Sequence, residues 1–381
     1  MCPRLYHRAI SFRIAALVVS LILFAVTAIA QSGSPTSQQP QQNWPAPKDG
    51  DFAARNFRFG SGEVLPELNL HYATLGSPER DAAGRVTNAV LILHGTGGSG
   101  RQFLQPQFAG ELFGPGQLLD ATRYFIILPD NVGHGRSSKP SNGLRAKFPH
   151  YDYDDMVRAQ HLLVTEGLGV NHLRLVMGTS MGCMHSFVWS EMFPDFMDAL
   201  LPLACLPVEI AGRNRIWRKM FMDAIRTDPE WQDGNYTAQP RGLRTSLYFL
   251  QLVGLAPLQA QKNLPTRAQA DKSVEDFQQA RFASTDANDF LYQVDSSRNY
   301  NPAPQLEKIL APLFHINSAD DFINPPELGI AEREIARVKR GRFILIPISD
   351  ETRGHGTHTR ARVWKNYLEE LLQISSKRIG N

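Results

Sequence analysis

Short, almost entirely apolar runs recur along the chain, separated by glycine-rich loops and amphipathic stretches. Such runs are typical of strands that are buried on both faces of a sheet, and the amphipathic stretches indicate helices. The order strand, loop, helix, strand predicts an α/β fold, a mostly parallel sheet flanked by helices on both faces. The predicted strands are 86–93, 124–129, 173–177, 199–205, 312–317 and 342–347, and the predicted helices are 154–166, 181–193, 327–338 and 360–372.

Two segments depart from this alternation. Residues 57–59 and 67–72 flank a glycine turn and predict an antiparallel hairpin. Residues 207–304 contain no strand run, which predicts a helical insertion over the carboxyl ends of the strands, where such folds bind ligands. We expect this insertion to act as a lid or tunnel wall. The helices predicted within it are 216–226, 244–254 and 271–280.

The first 30 residues have the pattern of a cleaved secretory signal. Three arginines precede an apolar run over residues 14–26, and the small-x-small site Ala28-Ile29-Ala30 follows it. We therefore expect export, to the periplasm or outside the cell. The alternative is an uncleaved anchor helix, for which the apolar run is short.

The rest of the chain divides into four predicted segments. Residues 31–50 are rich in Gln, Pro, Ser and Gly, a composition typical of a flexible linker. The α/β core is predicted over 51–206 and again over 305–381, with the helical insertion at 207–304 between its two parts. No membrane span is expected once the signal is cleaved.

Net charge and cysteine content exclude some classes of function. The chain has 40 basic and 37 acidic residues, and the predicted signal carries three arginines and no acids. The mature chain is then neutral, which offers no electrostatic basis for binding nucleic acid. Cys183 and Cys205 remain after cleavage, and we predict that both are small core residues rather than a disulfide or a metal pair.

The motif Gly178-Thr179-Ser180-Met181-Gly182 lies between a predicted strand and a predicted helix. A serine in this context, with a glycine two positions to either side, is typical of a nucleophile elbow. The turn is so tight that the flanking positions tolerate almost no side chain. Ser180 is therefore predicted to be an exposed nucleophile beside a helix N-terminus.

A serine hydroxyl needs a base, and the base needs an acid to orient it. In α/β hydrolases the order along the chain is Ser, then Asp or Glu, then His, each in a loop after a strand. We predict Asp321 and His355, with Asp320 and His358 as their alternatives. One of the two aspartates could instead cap the helix that follows. No further ligands accompany the two histidines, so no metal site is predicted.

The loop that follows the strand 86–93 is glycine-rich, His94-Gly95-Thr96-Gly97-Gly98-Ser99-Gly100. It lacks the Lys-Ser/Thr ending and the glycine spacing of phosphate-binding loops, so no cofactor is predicted. The backbone N–H groups of Thr96 and Met181 are the predicted donors of an oxyanion hole. His94 is expected to order the loop rather than to catalyse.

With these motifs in order, residues 56–372 resemble the homoserine O-acetyltransferase family of α/β-hydrolase-fold enzymes. Similar motifs are the opening hairpin at 61–76, the strand at 88–94 and the segment Ser180-Met181-Gly182 with Trp189. The insertion carries two more specific ones, 228–236 and 286–291. The resemblance implies Ser180 as nucleophile with Asp321 and His355 as partners, a tunnel under a helical lid, and often a homodimer formed through that lid.

Two departures from the family bear on the substrate. The resemblance implies an Asp after the catalytic His, but this chain has Gly356 there. It also implies a lid arginine that binds the substrate carboxylate, but the corresponding residues 245–249 contain no arginine. Arg241 or Arg244 could substitute for that arginine. An exported enzyme would rarely meet acetyl-CoA, which is a cytoplasmic donor.

These observations predict an exported serine hydrolase that acts on a small-molecule acyl ester. The first alternative is an O-acetyltransferase, and the second is a non-catalytic binding protein of the same fold.

Overall fold

The computed structural model describes residues 43–376, which form an eight-stranded sheet with helices on both faces. The strand order is β1-β2-β4-β3-β5-β6-β7-β8. The first two strands form an antiparallel hairpin, β2 pairs antiparallel with β4, and all other pairs are parallel. The strands are β1 Lys48–Arg58, β2 Val64–Leu75, β3 Ala89–Leu93, β4 Phe125–Pro129, β5 Leu175–Thr179, β6 Leu200–Leu203, β7 Leu313–Ser318 and β8 Gly341–Ile346. The predicted α/β-hydrolase architecture is confirmed.

Helices cover the two faces of the sheet, and each face has its own apolar core. Trp189 of α3 is buried in one core and Trp364 of α10 in the other, because amphipathic helices bury their apolar stripes against the sheet. The helices are α1 Ala109–Leu112, α2 Tyr153–Leu162, α3 Met181–Met192, α4 Gly212–Arg226, α5 Arg241–Gly254, α6 Pro257–Asn263, α7 Arg267–Ser284, α8 Ala287–Asp295, α9 Ile330–Ile335 and α10 Ala361–Ser376.

Helices α4 to α8 lie between β6 and β7, and α4, α5, α7 and α8 share a third apolar core. The sequence pattern predicted α4, α5 and α7 but missed the short helices α6 and α8. Helix α8 joins this insertion to the loop after β4. Asp289 accepts hydrogen bonds from the Ser141 N–H (2.8 Å) and hydroxyl (2.6 Å), and the Tyr292 hydroxyl donates to the Phe148 carbonyl (2.8 Å).

Two of the differences between observed and predicted element boundaries have a clear physical reason. Strand β1 begins at Lys48, inside the segment 31–50 that composition predicted as flexible, because its backbone pairs with β2 from Lys48 onward. The helix predicted over 327–338 is interrupted at Gly329, whose φ of 60° is left-handed. The predicted signal and residues 31–42 lie outside the described residues. Between residues 43 and 376, no helix is both long and apolar enough to span a membrane.

The two cysteines are buried in the core as predicted, but the prediction that they form no disulfide was wrong. Cys183 and Cys205 form a disulfide, with their Cα atoms 5.8 Å apart. Cys183 lies on α3, which follows β5, and Cys205 lies just beyond β6. Because β5 and β6 are adjacent parallel strands, the segments that leave their carboxyl ends meet. Sequence spacing alone does not show this proximity.

Candidate active site

The turn between β5 and α3 holds Ser180 in a strained conformation, with φ 56° and ψ −110°. The glycines on both sides are required sterically. A Cβ at Gly178 would lie 2.1 Å from the Gly182 carbonyl oxygen, and one at Gly182 would lie 2.0 Å from the Leu93 carbonyl oxygen. Such contacts are far below van der Waals distance, so the elbow requires glycine at both positions.

A continuous chain of hydrogen bonds joins three of the predicted site residues. His355 Nε2 lies 2.8 Å from Ser180 Oγ, and His355 Nδ1 lies 2.9 Å from Asp321 Oδ2. The His355 side chain is 11% exposed and the Asp321 side chain is fully buried. The structure thus brings together Ser180 after β5, Asp321 after β7 and His355 after β8, residues that lie far apart in the sequence.

Several donors hold Asp321 in its ionised form. Burial alone raises the pKa of this carboxyl, but the charge and hydrogen bond of His355 and the Asn324 amide outweigh burial and lower the pKa below 3.8. The N–H groups of Ile323 (2.8 Å) and Asn324 (3.3 Å) donate to Oδ1, and the Asn324 side chain donates to Oδ2 at 3.1 Å. A fixed carboxylate orients the imidazole and balances its charge when it takes a proton.

Asp320, the alternative acid, bonds elsewhere. Its Oδ2 accepts the Gly354 N–H at 2.9 Å, and its Oδ1 accepts the Ser318 hydroxyl. It caps no helix, since the short helix that follows begins after Pro325. Asp320 instead anchors the loop that carries His355.

His358, the alternative base, does not reach Ser180. Its ring packs edge-on against the His355 ring, with centroids 5.0 Å apart. Burial and the neighbouring His355 lower its pKa to about 3, so the ring stays neutral at ordinary pH. Its Nδ1 is buried and has no hydrogen-bond partner among residues 43–376.

The glycine-rich loop after β3 lies against the nucleophile. A Cβ at Gly95 would lie 3.3 Å from Ser180 Cβ and 3.8 Å from Ser180 Oγ. His94 orders the loop, as its Nε2 accepts the Asn131 N–H (3.0 Å) and its Nδ1 donates to the Gly95 carbonyl (2.9 Å). Thr96 follows Gly95 directly, and Met181 is the first residue of α3, where the N–H has no intrahelical acceptor.

A cavity of about 410 Å³ opens onto Ser180. Its walls are largely apolar and come from both the α/β core and the helical insertion. Cys205, one of the two disulfide cysteines, is part of this wall. The lining residues are Ser180, Met184, Arg218 and residues 204–206, 208–214, 323–325, 327, 328 and 330.

The two arginines that line this cavity, Arg213 and Arg218, are not ones that the sequence suggested. Arg241 is 88% exposed and pairs with Glu230, while the Arg244 guanidinium stacks 4.4 Å from the Phe282 ring centroid. Neither lines the cavity, whereas Arg218 does. The sequence held one signal for Arg218. It follows Asn214, which also lines the cavity, by four residues on α4, and i and i+4 side chains share a helix face.

Comparisons with known proteins bear on the family and the fold of this chain. The family model described as alpha/beta hydrolase fold matches residues 88–344. A homoserine O-acetyltransferase of Pelobacter propionicus is 30% identical over 338 residues, covering 78% of this chain and 88% of that protein. A probable acyltransferase of Methanothermobacter thermautotrophicus is 29% identical over 278 residues, covering 73% and 84%.

Solved structures show the same architecture. The crystal structure of an acetylester hydrolase from Corynebacterium glutamicum superposes with a TM-score of 0.74 at 22% identity, covering 86% of this chain and 96% of that chain. At this identity the likeness concerns the fold alone. The family-model match and the Pelobacter propionicus relative show that the chain belongs to the homoserine O-acetyltransferase-like family of the α/β-hydrolase fold.

Proposed function

We propose that this protein is an exported serine hydrolase that cleaves acyl esters through an acyl-enzyme intermediate. The observation that carries the proposal is the chain of hydrogen bonds from Ser180 through His355 to Asp321, at the edge of a largely apolar cavity. A nucleophile, a base and a buried acid in this relation are the parts that acyl transfer requires.

In the proposed reaction, Ser180 Oγ attacks the ester carbonyl while His355 Nε2 takes its proton. Asp321 stabilises the imidazolium that forms. The N–H groups of Thr96 and Met181 hold the oxyanion, and one such donor is typically worth about 3 kcal/mol of barrier. His355 then protonates the leaving alcohol, and a water activated by the same imidazole releases the acid and restores Ser180.

Export is part of the same proposal. Two sequence features support it, the basic and apolar pattern over residues 4–26 and the small-x-small site Ala28-Ile29-Ala30 that follows it. The disulfide between Cys183 and Cys205 adds support, because disulfides persist mainly in oxidising compartments outside the cytoplasm.

Transfer of the acyl group to an alcohol or amine is the second candidate, favoured by the names of the relatives above. Gly356 argues against an amino-acid acceptor, because the family resemblance implies an acidic side chain at that position to hold the amino group. Water is therefore our preferred acceptor. A non-catalytic role would leave the strained Ser180 turn and its hydrogen-bonded partners without a purpose.

Labelling with a fluorophosphonate tests whether Ser180 is a nucleophile. We expect one adduct, at Ser180, and none in Ser180→Ala. If folded wild-type protein stays unlabelled, both enzymatic functions, ester hydrolysis and acyl transfer, are refuted. Labelling should also be lost in His355→Ala, because that variant lacks the base that hydrogen-bonds to Ser180 Oγ.

A comparison of acceptors separates hydrolysis from transfer. Purified protein is supplied with a short acyl ester in water, and separately with acetyl-CoA plus homoserine. We expect acid release from the ester and no release of CoA that depends on homoserine. CoA release that requires homoserine would overturn the preference for hydrolysis in favour of transfer.

A further inference from the structure

The disulfide joins two segments that contact the catalytic residues from different sides. Cys183 lies in the first turn of α3, shortly after Ser180, and Cys205 lies just beyond the end of β6. Both cysteines are buried, and Cys205 lines the same cavity as Ser180. The bond therefore fixes the distance between the helix of the nucleophile and the segment that leaves β6.

The segment that leaves β6 supports both the nucleophile and the acid through backbone carbonyls. The Ser180 N–H donates to the Leu203 carbonyl at 2.9 Å. The side-chain amide of Asn324 donates to the Ala204 carbonyl at 3.0 Å and to Asp321 Oδ2 at 3.1 Å. A displacement of this segment is therefore transmitted to Ser180 directly and to Asp321 through Asn324.

The same segment contains a strained residue. Ala204, which precedes Cys205, has φ 65°, in the left-handed region that residues other than glycine rarely adopt. A conformation of this kind persists only where its surroundings hold it in place. The disulfide at the next residue is one such restraint, and the hydrogen bond from Asn324 is another. We expect the segment to relax when the disulfide opens.

The surroundings of the two sulfurs also suit the reduced form. His315 is fully buried on β7, and one of its ring nitrogens lies within 4.8 Å of both Sγ atoms. Burial lowers the pKa of His315 to about 4, and its Nε2 donates to the Cys205 carbonyl at 2.9 Å, so the neutral ring carries its proton on Nε2. Its Nδ1 has no hydrogen-bond partner among residues 43–376. Reduction brings two S–H donors close to this unpartnered acceptor, whereas the disulfide offers no donor.

We propose that the Cys183–Cys205 disulfide positions Ser180 and Asp321 for catalysis, so that the protein reaches full activity only after this bond has formed. This inference rests on the proposed function, including export, because disulfides form and persist mainly in oxidising compartments. The dithiol form, which precedes export, keeps the fold but turns over slowly. The disulfide thus acts as a redox switch that changes the packing beside the nucleophile.

The switch operates by thiol–disulfide exchange, in which an external disulfide is the oxidant. One cysteine thiolate attacks a sulfur of that disulfide, which forms a mixed disulfide and releases one thiol. The second cysteine thiolate attacks the cysteine sulfur of the mixed disulfide, forms the Cys183–Cys205 bond and releases the second thiol. Two electrons pass to the oxidant, and its two thiols take up the two protons. A dithiol reductant reverses both steps.

Comparing the two redox forms of wild type tests the inference. The bond is opened with dithiothreitol, the released thiols are counted, and the bond is closed again with oxidised glutathione. Turnover of p-nitrophenyl acetate is measured well below the melting temperature, and near-ultraviolet circular dichroism checks that both forms are folded. We expect reduction to lower kcat by about 10- to 100-fold and to change KM by less than about 3-fold, because small misplacements of catalytic groups cost this much in rate. Reoxidation should restore kcat.

Three results would overturn the inference. If dithiothreitol releases no thiols from the folded protein, the bond is not a switch. If the dithiol form keeps the kcat of the oxidised form, the bond does not position the catalytic residues. If reoxidation closes the bond without restoring kcat, the loss of activity comes from unfolding or another change.

Two variants separate positioning from stability. The double variant Cys183→Ala, Cys205→Ala should have the low kcat of the dithiol form and should not respond to dithiothreitol. Leu371 is fully buried in the core on the other face of the sheet, where Leu→Ala costs about 2–5 kcal/mol, so Leu371→Ala is a control of similar stability. This control should keep kcat within about 2-fold of wild type, because it leaves the catalytic geometry unchanged. Equal losses of kcat in both variants would mean that stability, and not positioning, sets the rate. Should a variant not fold, the redox comparison in wild type decides.

The rate of fluorophosphonate labelling separates this inference from the proposed function. Labelling reports on Ser180 in both redox forms and needs no acceptor. Equally fast labelling of both forms, with ester turnover, would retain the hydrolase and reject the switch. Slower labelling of the dithiol form, without ester turnover in either form, would retain the switch and reject ester hydrolysis. Oxidised protein that is neither labelled nor active would refute both.

Discussion

Replacing Cys183 and Cys205 together by alanine should destabilise the folded protein by several kcal/mol. The disulfide closes a loop with a sequence separation of 22 residues. A cross-link of this size removes about 11 cal/mol/K of entropy from the unfolded chain, which is about 3.4 kcal/mol at 25 °C. Both residues are buried, so the lost sulfur contacts add to this cost rather than offset it.

Urea unfolding of wild type and the double variant measures this difference. We expect a lower midpoint, and in thermal unfolding a melting temperature reduced by about 5 °C, given an unfolding entropy of about 2 cal/mol/K per residue. A reductant should destabilise wild type towards the double variant and leave the variant unchanged. This serves as the internal control for the bond itself.

The reasoning would be refuted by a double variant within about 1 kcal/mol of wild type, or by a reductant that destabilises both proteins equally. Either result would mean that the bond does not restrain the unfolded chain. The argument for an oxidising compartment would then lose its structural support as well.

Three further predictions concern the site and its surroundings. His355→Ala should abolish ester turnover, whereas His358→Ala should keep activity within about 10-fold of wild type, because only His355 bonds to the nucleophile. Asp321→Asn should lower kcat by about 10³- to 10⁴-fold by presenting a donor to the imidazole, whereas Asp320→Asn retains an acceptor for its loop and should lose less than about 10-fold. Burial raises the pKa of Glu191 from 4.5 to about 7. Between these pH values the folded protein holds a proton that the unfolded chain releases. The free energy of unfolding should therefore fall as pH rises from 4.5 to 7. Partial exposure reduces this effect to about 1–2 kcal/mol, and Glu191→Gln should remove it in urea unfolding at pH 5 and pH 8.

Each of these has a contrary outcome. Equal loss of kcat in the two histidine variants, or in the two aspartate variants, would mean that the base or the acid is assigned to the wrong residue. A free energy of unfolding that rises between pH 5 and pH 7, or that keeps its pH dependence in Glu191→Gln, would contradict the argument about burial.

The nucleophile could be predicted because its requirements are local. A tight turn between a strand and a helix excludes side chains at Gly178 and Gly182, and this constraint is written within five consecutive residues. For the acid and for the base, the sequence left two candidates each. Asp320 and Asp321 lie in one loop, and His355 and His358 lie in another, so sequence position does not separate the members of a pair. The loop after β8 turns at Gly354, with φ 56°. Its path decides that His355, and not His358, faces Ser180.

By itself, the sequence determined the order of strands and helices, the helical insertion and the position of the nucleophile. These follow from apolar periodicity and short-range sterics, which act between near neighbours. Only the tertiary structure decided that Asp321 reaches His355, that Cys183 bonds to Cys205 and that Arg218 lines the cavity. Each of these depends on distances between segments far apart in the chain, and those distances are set by the packing of the sheet and its helices.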